Sequence, residues 1–141
     1  MRATILITAI FICFLPTGSP FAKETLNQLI EPHLSKIQQL TFGGQNAEAY
    51  FSADNKELIF QSTRDDLQCD AIFRMNIDGS NVRRVSSGKG TTTCAFIAPD
   101  NRALIYSSTH LGAETCPPKP DFSKGYVWPL YKSFDIFKAD P

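Results

Sequence analysis

The sequence predicts an all-β fold built from antiparallel, four-stranded sheets. Short apolar runs, rich in β-branched and aromatic residues, alternate with tight-turn signals along most of the chain. A unit of about 45 residues also recurs, and each copy has room for four strands of ordinary length. The repeat and the turn signals together predict two such sheets in succession.

The clearest copy of the unit lies between Phe51 and Asn81. Residues 49–53 alternate apolar and polar side chains, as a half-buried strand does. Residues 58–60 and 71–75 are apolar runs of strand-forming residues, and a further strand is predicted over 82–85.

Two turn signals separate these strands. Asp54-Asn55 predicts a tight turn between the first and second strands, because Asn tolerates left-handed backbone angles better than other residues with a side chain. Asp78-Gly79 predicts a hairpin between the third and fourth strands, because Gly adopts positive φ without a steric penalty.

Most of this unit recurs further along the chain. A repeat of this length with four strands has the size of one β-propeller blade. The matching segments are 51–56 with 97–102 and 58–63 with 104–109 at an offset of 46, 72–74 with 136–138 at 64, and 35–40 with 80–85 at 45.

The repeated motif resembles a known family. The pattern F-S-x-D-x-K-x-L-I-F-x-S-x-R-D, followed by I-F-x-M-N-x-D-G-S-N-V-R-R-V-S, resembles the WD-like (WD40-like) blades of TolB-type propellers, and related blades occur in prolyl oligopeptidase propellers. The resemblance covers residues 33–110 and 133–141. Asn55 and Asn101 stand where the family usually has Gly, and residues 111–132 are an insertion that the generic blade lacks. The resemblance implies a scaffold role at the cell envelope. No cofactor is expected.

Residues 1–22 are predicted to be a secretory signal. Arg2 precedes an apolar run over residues 5–15, which is too short to span a bilayer, and a break rich in proline follows. Cleavage is expected after Ala22, and the alternative is an uncleaved anchor. Either way the remainder is expected in the periplasm or secreted, with no stable membrane span after cleavage.

The rest of the chain divides by the repeat register. Residues 23–32 are a short lead-in, and residues 33–141 are a partial propeller. Blade one spans residues 41–85. Blade two spans residues 86–141, carries the insertion 111–132, and is incomplete.

The predicted propeller is missing strands. Residues 34–40 are a lone outer strand, and Pro141 matches Ile77, so blade two lacks its fourth strand. We therefore expect a fragment of a longer propeller or a prematurely terminated gene; the alternative is a short chain completed by self-association. In each case the open strand edges need further blades or a second copy to cover them.

Composition and motifs narrow the possible functions. With 14 basic and 14 acidic residues the formal charge is zero, which predicts no nucleic-acid partner. The chain has no C-x-x-C, and His33 and His110 are its only histidines, so no metal site is predicted. No G-x-S-x-G, H-E-x-x-H or phosphate-binding glycine loop is present, so no catalytic residue is predicted.

Three cysteines follow the predicted signal, and a disulfide is plausible in an exported protein. In the blade register, Cys69 and Cys116 both lie between second and third strands, and Cys94 is predicted to precede an inner strand. The favoured pair is Cys69 with Cys94. Cys116 is the alternative partner, and one thiol is left over in either case.

The insertion is stiffened by four prolines and is rich in aromatic residues. One interpretation is a loop that covers the propeller and buries its own aromatics. The other is a binding loop, since loops on rigid scaffolds often carry binding residues. The candidate binding residues are His110, Lys119, Phe122, Tyr126, Trp128 and Tyr131.

The polar cluster at residues 62–65 is interpreted as structural, with Arg64 pairing with a carboxylate and Ser62 or Thr63 satisfying backbone groups. The functional hypothesis is an exported, non-catalytic module that binds a protein or peptide. The alternative is the propeller portion of an exported prolyl oligopeptidase-like hydrolase whose catalytic domain is absent from this chain.

Overall fold

A computed structural model describes residues 33–141 of the chain. The described residues form strands, turns and irregular segments, with no helix among them. The predicted signal 1–22 and lead-in 23–32 lie outside the described residues. The strands are β1 (Gln45–Phe51), β2 (Glu57–Thr63), β3 (Ala71–Asn76), β4 (Arg83–Arg84), β5 (Thr92–Ile97), β6 (Leu104–Ser108) and β7 (Asp135–Ala139).

The strands form two antiparallel sheets, which confirms the predicted fold class. The first sheet has the order β1-β2-β3-β4, and the second has the order β5-β6-β7. Each sheet is a meander in which consecutive strands are neighbours. In residues 38–141, which form one compact unit, the second sheet packs against the first through β5.

The register of the second sheet repeats that of the first. Gln61 lies opposite Ile72 in the first sheet, and Ser107 lies opposite Ile136 in the second, in agreement with the offsets of 46 and 64 residues. The aromatic pairs also correspond. The rings of Phe60 and Phe73 stack at 5.9 Å, and those of Tyr106 and Phe137 stack at the same distance.

The predicted turns are present in both sheets. Asn55 and Asn101 have φ values of 56° and 57°, the left-handed conformation that their turns require. The Ser52 hydroxyl lies 2.7 Å from the Asp54 carboxylate and accepts hydrogen bonds from the backbone N–H groups of the turn. Gly79 has φ 83° at the β3–β4 hairpin.

The first strand of each sheet, β1 in one and β5 in the other, also carries a β-bulge at the same repeat position. The pairing shifts register between Ala47 and Tyr50 in β1, and between Thr93 and Phe96 in β5. Glu48 and Cys94, 46 residues apart, have φ values of 51° and 53° at these bulges. Cys94 therefore lies within an inner strand, and the prediction that it precedes that strand is wrong.

Two apolar clusters stabilise the sheets. The cluster between the sheets contains Ile59 and Ile72 from the first and Ala95, Ile97 and Leu104 from the second. Full burial of each Ile or Leu side chain in this cluster contributes about 1.5–3 kcal/mol. The other cluster lies on the first sheet and contains Leu58, Phe60, Ala71, Phe73 and Met75, with the partly buried Leu40 and Leu67 packed against it.

The predicted strand over residues 34–40 is absent, since the described residues before Gln45 contain no strand. A single extended segment cannot form a ladder without a neighbouring strand, and the structure gives residues 38–40 none. Within residues 33–141 no helix has the length and apolar character needed to cross a membrane.

Candidate binding surface

A disulfide fixes the start of the insertion to the first sheet. Cys116 of the insertion is bonded to Cys69, which lies in the connection between β2 and β3, and their Cα atoms are 5.8 Å apart. This pairing corrects the favoured Cys69–Cys94 pair in favour of the alternative partner. Cys94 is a free, exposed thiol. The favoured pair was wrong because Cys94 lies inside β5, at the bulge, instead of in a connection.

Backbone contacts hold the same region in place. The N–H of Gly90 donates to the Glu114 carbonyl at 2.8 Å, and the Lys89 ammonium pairs with the Glu114 carboxylate. Gly112 lies so close to Ser133 that a Cβ at Gly112 would approach the Ser133 Cβ to 2.5 Å. The two ends of the insertion are therefore packed together at its base, where no larger residue fits.

The remainder of the insertion is ordered by its own contacts. The Tyr131 hydroxyl donates to the Pro118 carbonyl, and the Phe122 and Tyr126 rings stack at 6.4 Å. Asp121 accepts hydrogen bonds from the backbone N–H and the hydroxyl of Ser123, and these bonds lower the pKa of the Asp121 carboxyl below its usual value.

The insertion exposes large apolar side chains to solvent. Tyr126 is 87% exposed, Trp128 is 72% exposed and Leu130 is 80% exposed. The interpretation that the loop buries its own aromatics is therefore wrong for Tyr126 and Trp128. We call the following set the aromatic surface: Phe122, Tyr126, Val127, Trp128 and Leu130.

Two further predicted loop residues, Tyr131 and Lys119, are not members of this set. Tyr131 is half-buried, and its ring packs on Phe134 at 6.0 Å. Lys119 is exposed in the same insertion. Val127 and Leu130 were not among the predicted binding residues. Their exposure could have been suspected because they are apolar residues beside Trp128 and Pro129 in a segment with no strand pattern.

His110 supports the fold at the root of the insertion. Its Nδ1 lies 2.9 Å from the Ser108 hydroxyl oxygen, and its ring lies 4.3 Å from that of Phe137 in β7. Its backbone N–H also donates to the Ser108 hydroxyl. These contacts hold the end of β6 against β7, so His110 joins two strands of the second sheet.

A second cluster lies at the bulges of the inner strands. The Cys94 N–H donates to the Gln61 side chain at 3.2 Å, and Gln61 donates in turn to Asp70 at 3.0 Å. Partial burial raises the pKa of the Cys94 thiol, a hydrogen bond with Thr93 opposes this shift, and the nearby Glu48 carboxylate adds to it. A thiol with a raised pKa is a weak nucleophile and a weak metal ligand at neutral pH.

The cluster at residues 62–65 is structural, with partners that differ from the expected ones. The Arg64 guanidinium donates to the Asn46 side-chain oxygen at 2.7 Å and to the Ser62 hydroxyl at 3.0 Å, and it lies over the Phe73 ring at 5.0 Å. Thr63 donates to the Asp70 carboxylate at 2.6 Å. Arg64 therefore pairs with an amide and an aromatic face, where a carboxylate was predicted.

A cleft of about 480 Å³ lies beside this cluster, on the first sheet. Asp65, Leu67, Phe73, Val82 and Arg84 contribute to its lining, and no residue of the insertion does. In residues 33–141 no three His, Cys, Asp or Glu side chains are grouped as metal ligands would be. The aromatic surface and the cleft are thus separate features.

These observations define the class of protein: an all-β chain in which two sheets repeat one blade-like unit and the second carries a disulfide-anchored insertion. No protein-family model and no curated protein sequence matches the chain. One solved structure with a detected likeness is described as "The structure of putative TolB from Agrobacterium tumefaciens". It is 27% identical with a TM-score of 0.45, and the match covers 49% of this chain and 24% of that chain. The chain thus spans about a quarter of that protein, and the fold assignment rests on the strand register.

Proposed function

We propose that the protein is an exported, non-catalytic module of propeller-type blades that binds a protein or peptide at the cell envelope through the aromatic surface. The observation that carries the proposal is the exposure of five large apolar side chains on a segment fixed at its base. Isolated exposed apolar residues are common, but a group of them marks an interaction surface. Tyr and Trp in particular are enriched at the centres of protein interfaces.

The anchoring of the insertion supports the same proposal. The Cys69–Cys116 disulfide and the Lys89–Glu114 ion pair hold its first part, and the Tyr131–Pro118 hydrogen bond closes its second part. A loop that is already ordered loses less conformational entropy on binding. More of the favourable free energy of its aromatic contacts therefore remains as affinity. Lys119 supplies a charge in the same insertion, where a polar margin commonly surrounds an apolar contact.

The export of the protein is supported by the predicted signal and by the disulfide, since structural disulfides persist in oxidising compartments. Mass spectrometry of the protein recovered from its host should find a mature N-terminus at Lys23. A chain that retains residues 1–22 and remains in the cytosolic fraction would contradict export and leave the binding test below unaffected.

Binding can be tested with a random peptide library selected against the purified chain. Trp128 is the only tryptophan of the sequence, so its fluorescence reports directly on the aromatic surface. We expect selected peptides to shift the Trp128 emission to shorter wavelength as the side chain leaves water. In the Tyr126→Ala/Leu130→Ala variant we expect affinity to fall by about tenfold or more, because truncating central interface residues has this effect.

The matched control is Phe42→Ala/Phe51→Ala, which removes two apolar side chains that are exposed elsewhere. This control should bind the selected peptides as the unchanged chain does. Equal weakening in both variants would indicate nonspecific apolar binding and would contradict the proposal, as would selected peptides that bind without any change in Trp128 emission. The alternative of a hydrolase portion is favoured by no observation in the described residues.

A further inference from the structure

The outer edge of β7 is an open strand edge. In the first sheet, β4 pairs with the outer edge of β3, with Arg83 opposite Arg74 and Arg84 opposite Phe73. In the second sheet, β7 is the equivalent of β3, and among residues 33–141 no strand pairs with its outer edge. Such an edge presents unpaired N–H and C=O groups to any extended chain.

The first sheet shows which backbone groups of β7 face this edge. The carbonyl of Ile72 accepts from the Val85 N–H, and the Ile72 N–H donates to the Ser86 hydroxyl, so both groups of Ile72 point outward. In an antiparallel ladder, alternate residues point the same way. The repeat register therefore assigns the backbone groups of Ile136 and Lys138 to the open edge.

The face of the second sheet beside this edge is also uncovered. Ile59 and Ile72 are fully buried, yet their repeat equivalents Ile105 and Ile136 are 41% and 73% exposed. In the first sheet, Val85 of the outermost segment packs against the cluster that contains Ile59 and Ile72. An added segment at β7 would therefore bring an apolar side chain to Ile105 and Ile136.

The chain contains a segment that matches β4 in sequence and is not part of a sheet. Residues 35–40 match residues 80–85, and Lys36 and Asn81 at the same offset have the same left-handed φ of 55°. Gln38 takes the position of Arg83, and Leu40 takes that of Val85. Gln38 is exposed and belongs to no strand.

Charge explains why this segment suits β7 better than a second β4 would. In the first sheet, Glu57 forms ion pairs with both Arg74 and Arg83, so two arginines can lie side by side. The equivalent of Glu57 in the second sheet is Ala103, and the equivalent of Arg74 is Lys138. Without an acid at the position of Glu57, an arginine opposite Lys138 would lack the carboxylate that bridges the two arginines of the first sheet, whereas the neutral Gln38 needs no such bridge.

We propose that residues 35–40 of one copy of the chain add to β7 of a second copy as its fourth strand. Gln38 pairs with Lys138, and Leu40 covers Ile136. Pairing within one copy is disfavoured, because Leu40 packs on the face of the first sheet that carries Leu58, and this face is opposite the one that Ile59 presents to the second sheet. Association requires Leu40, which is only partly buried there, to move.

The test is the solution mass of the purified full chain as a function of concentration. We expect a mass above that of one chain that falls on dilution. Gln38→Pro removes the N–H that faces Lys138 and should weaken association at least about tenfold, while Gln38→Ala keeps that N–H and should leave it within about threefold. A chain that stays monomeric up to about 100 μM overturns the proposal.

Charge variants identify the contact. Gln38→Glu should strengthen association by about two- to fivefold and Gln38→Lys should weaken it by a similar factor, and both effects should reverse in the Lys138→Glu background. A labelled peptide of residues 33–42 should bind the full-length Gln38→Pro chain and compete with its association. Association that persists unchanged in Gln38→Pro, or that ignores these charges, would show apolar aggregation or another occupant and would overturn the proposal.

Discussion

The two sheets share a register, a turn chemistry and a bulge, but they differ in what covers them. Ile72 in the first sheet is fully buried by the second sheet, whereas its equivalent Ile136 is 73% exposed. The difference shows that the apolar pattern of a strand indicates only which of its faces can be buried. Whether a face is actually buried depends on a neighbour that the strand itself does not encode.

The largest expected effect comes from truncating this pair of equivalent residues. Ile72→Ala removes a fully buried side chain from the cluster between the sheets and should lower the free energy of unfolding by about 2–5 kcal/mol. Ile136→Ala removes an exposed side chain and should cost less than about 0.5 kcal/mol. Urea unfolding followed by circular dichroism measures both. Both values apply to the dissociated chain, so they are measured at low protein concentration. Equal losses under that condition would contradict the comparison.

A smaller effect is expected from the disulfide that joins the first sheet to the insertion of the second. Cys69 and Cys116 are 47 residues apart. The Cys69→Ser/Cys116→Ser variant lacks the bond, and its free energy of unfolding should be lower by about 2–4 kcal/mol because its unfolded chain has more conformational entropy. Urea unfolding measures this too. Cys94→Ser is the matched control and should unfold as the unchanged chain does. No difference between the two variants would show that the bond does not form.

The smallest effect concerns the equivalent bulge residues Glu48 and Cys94. Burial and the Glu48 charge both raise the pKa of the Cys94 thiol, so its alkylation by iodoacetamide should require a higher pH than that of glutathione. The folded state favours the neutral thiol, so this thiol contributes to folding stability at low pH. The contribution is complete below the pKa that the thiol has in the unfolded chain, and it is lost as the pH rises through the pKa that the thiol has in the folded chain. Glu48→Gln should move the alkylation profile partly back. An alkylation profile identical to that of glutathione would contradict the raised pKa of the Cys94 thiol.

The sequence predicted the repeating parts of the fold well. The turns at Asn55 and Asn101, the strands β2, β3, β6 and β7, and the offset between the two sheets all follow from local pattern and turn chemistry. These features depend on residues close together in the chain, where steric limits on the backbone decide the outcome.

The parts that failed depend on contacts between distant residues. The disulfide partner of Cys69 was mistaken because a bulge placed Cys94 inside β5, and a bulge has no reliable local signal. The exposure of Trp128 could not be read from the sequence, because an aromatic residue in a proline-rich loop suits burial and binding equally. Residues 34–40 matched a strand in pattern but lack a neighbour to pair with.

The long connection between β6 and β7 bears on the order in which the second sheet forms. The equivalent connection in the first sheet spans residues 64–70, whereas this one spans residues 109–134, and closing the longer loop costs about 1 kcal/mol more. β5 and β6 are joined by a tight turn and can form a hairpin early. β7 can pair with β6 only when the connection between them is closed. The bond from Cys116 to Cys69 shortens the free part of that connection, because it ties the first part of the connection to the first sheet.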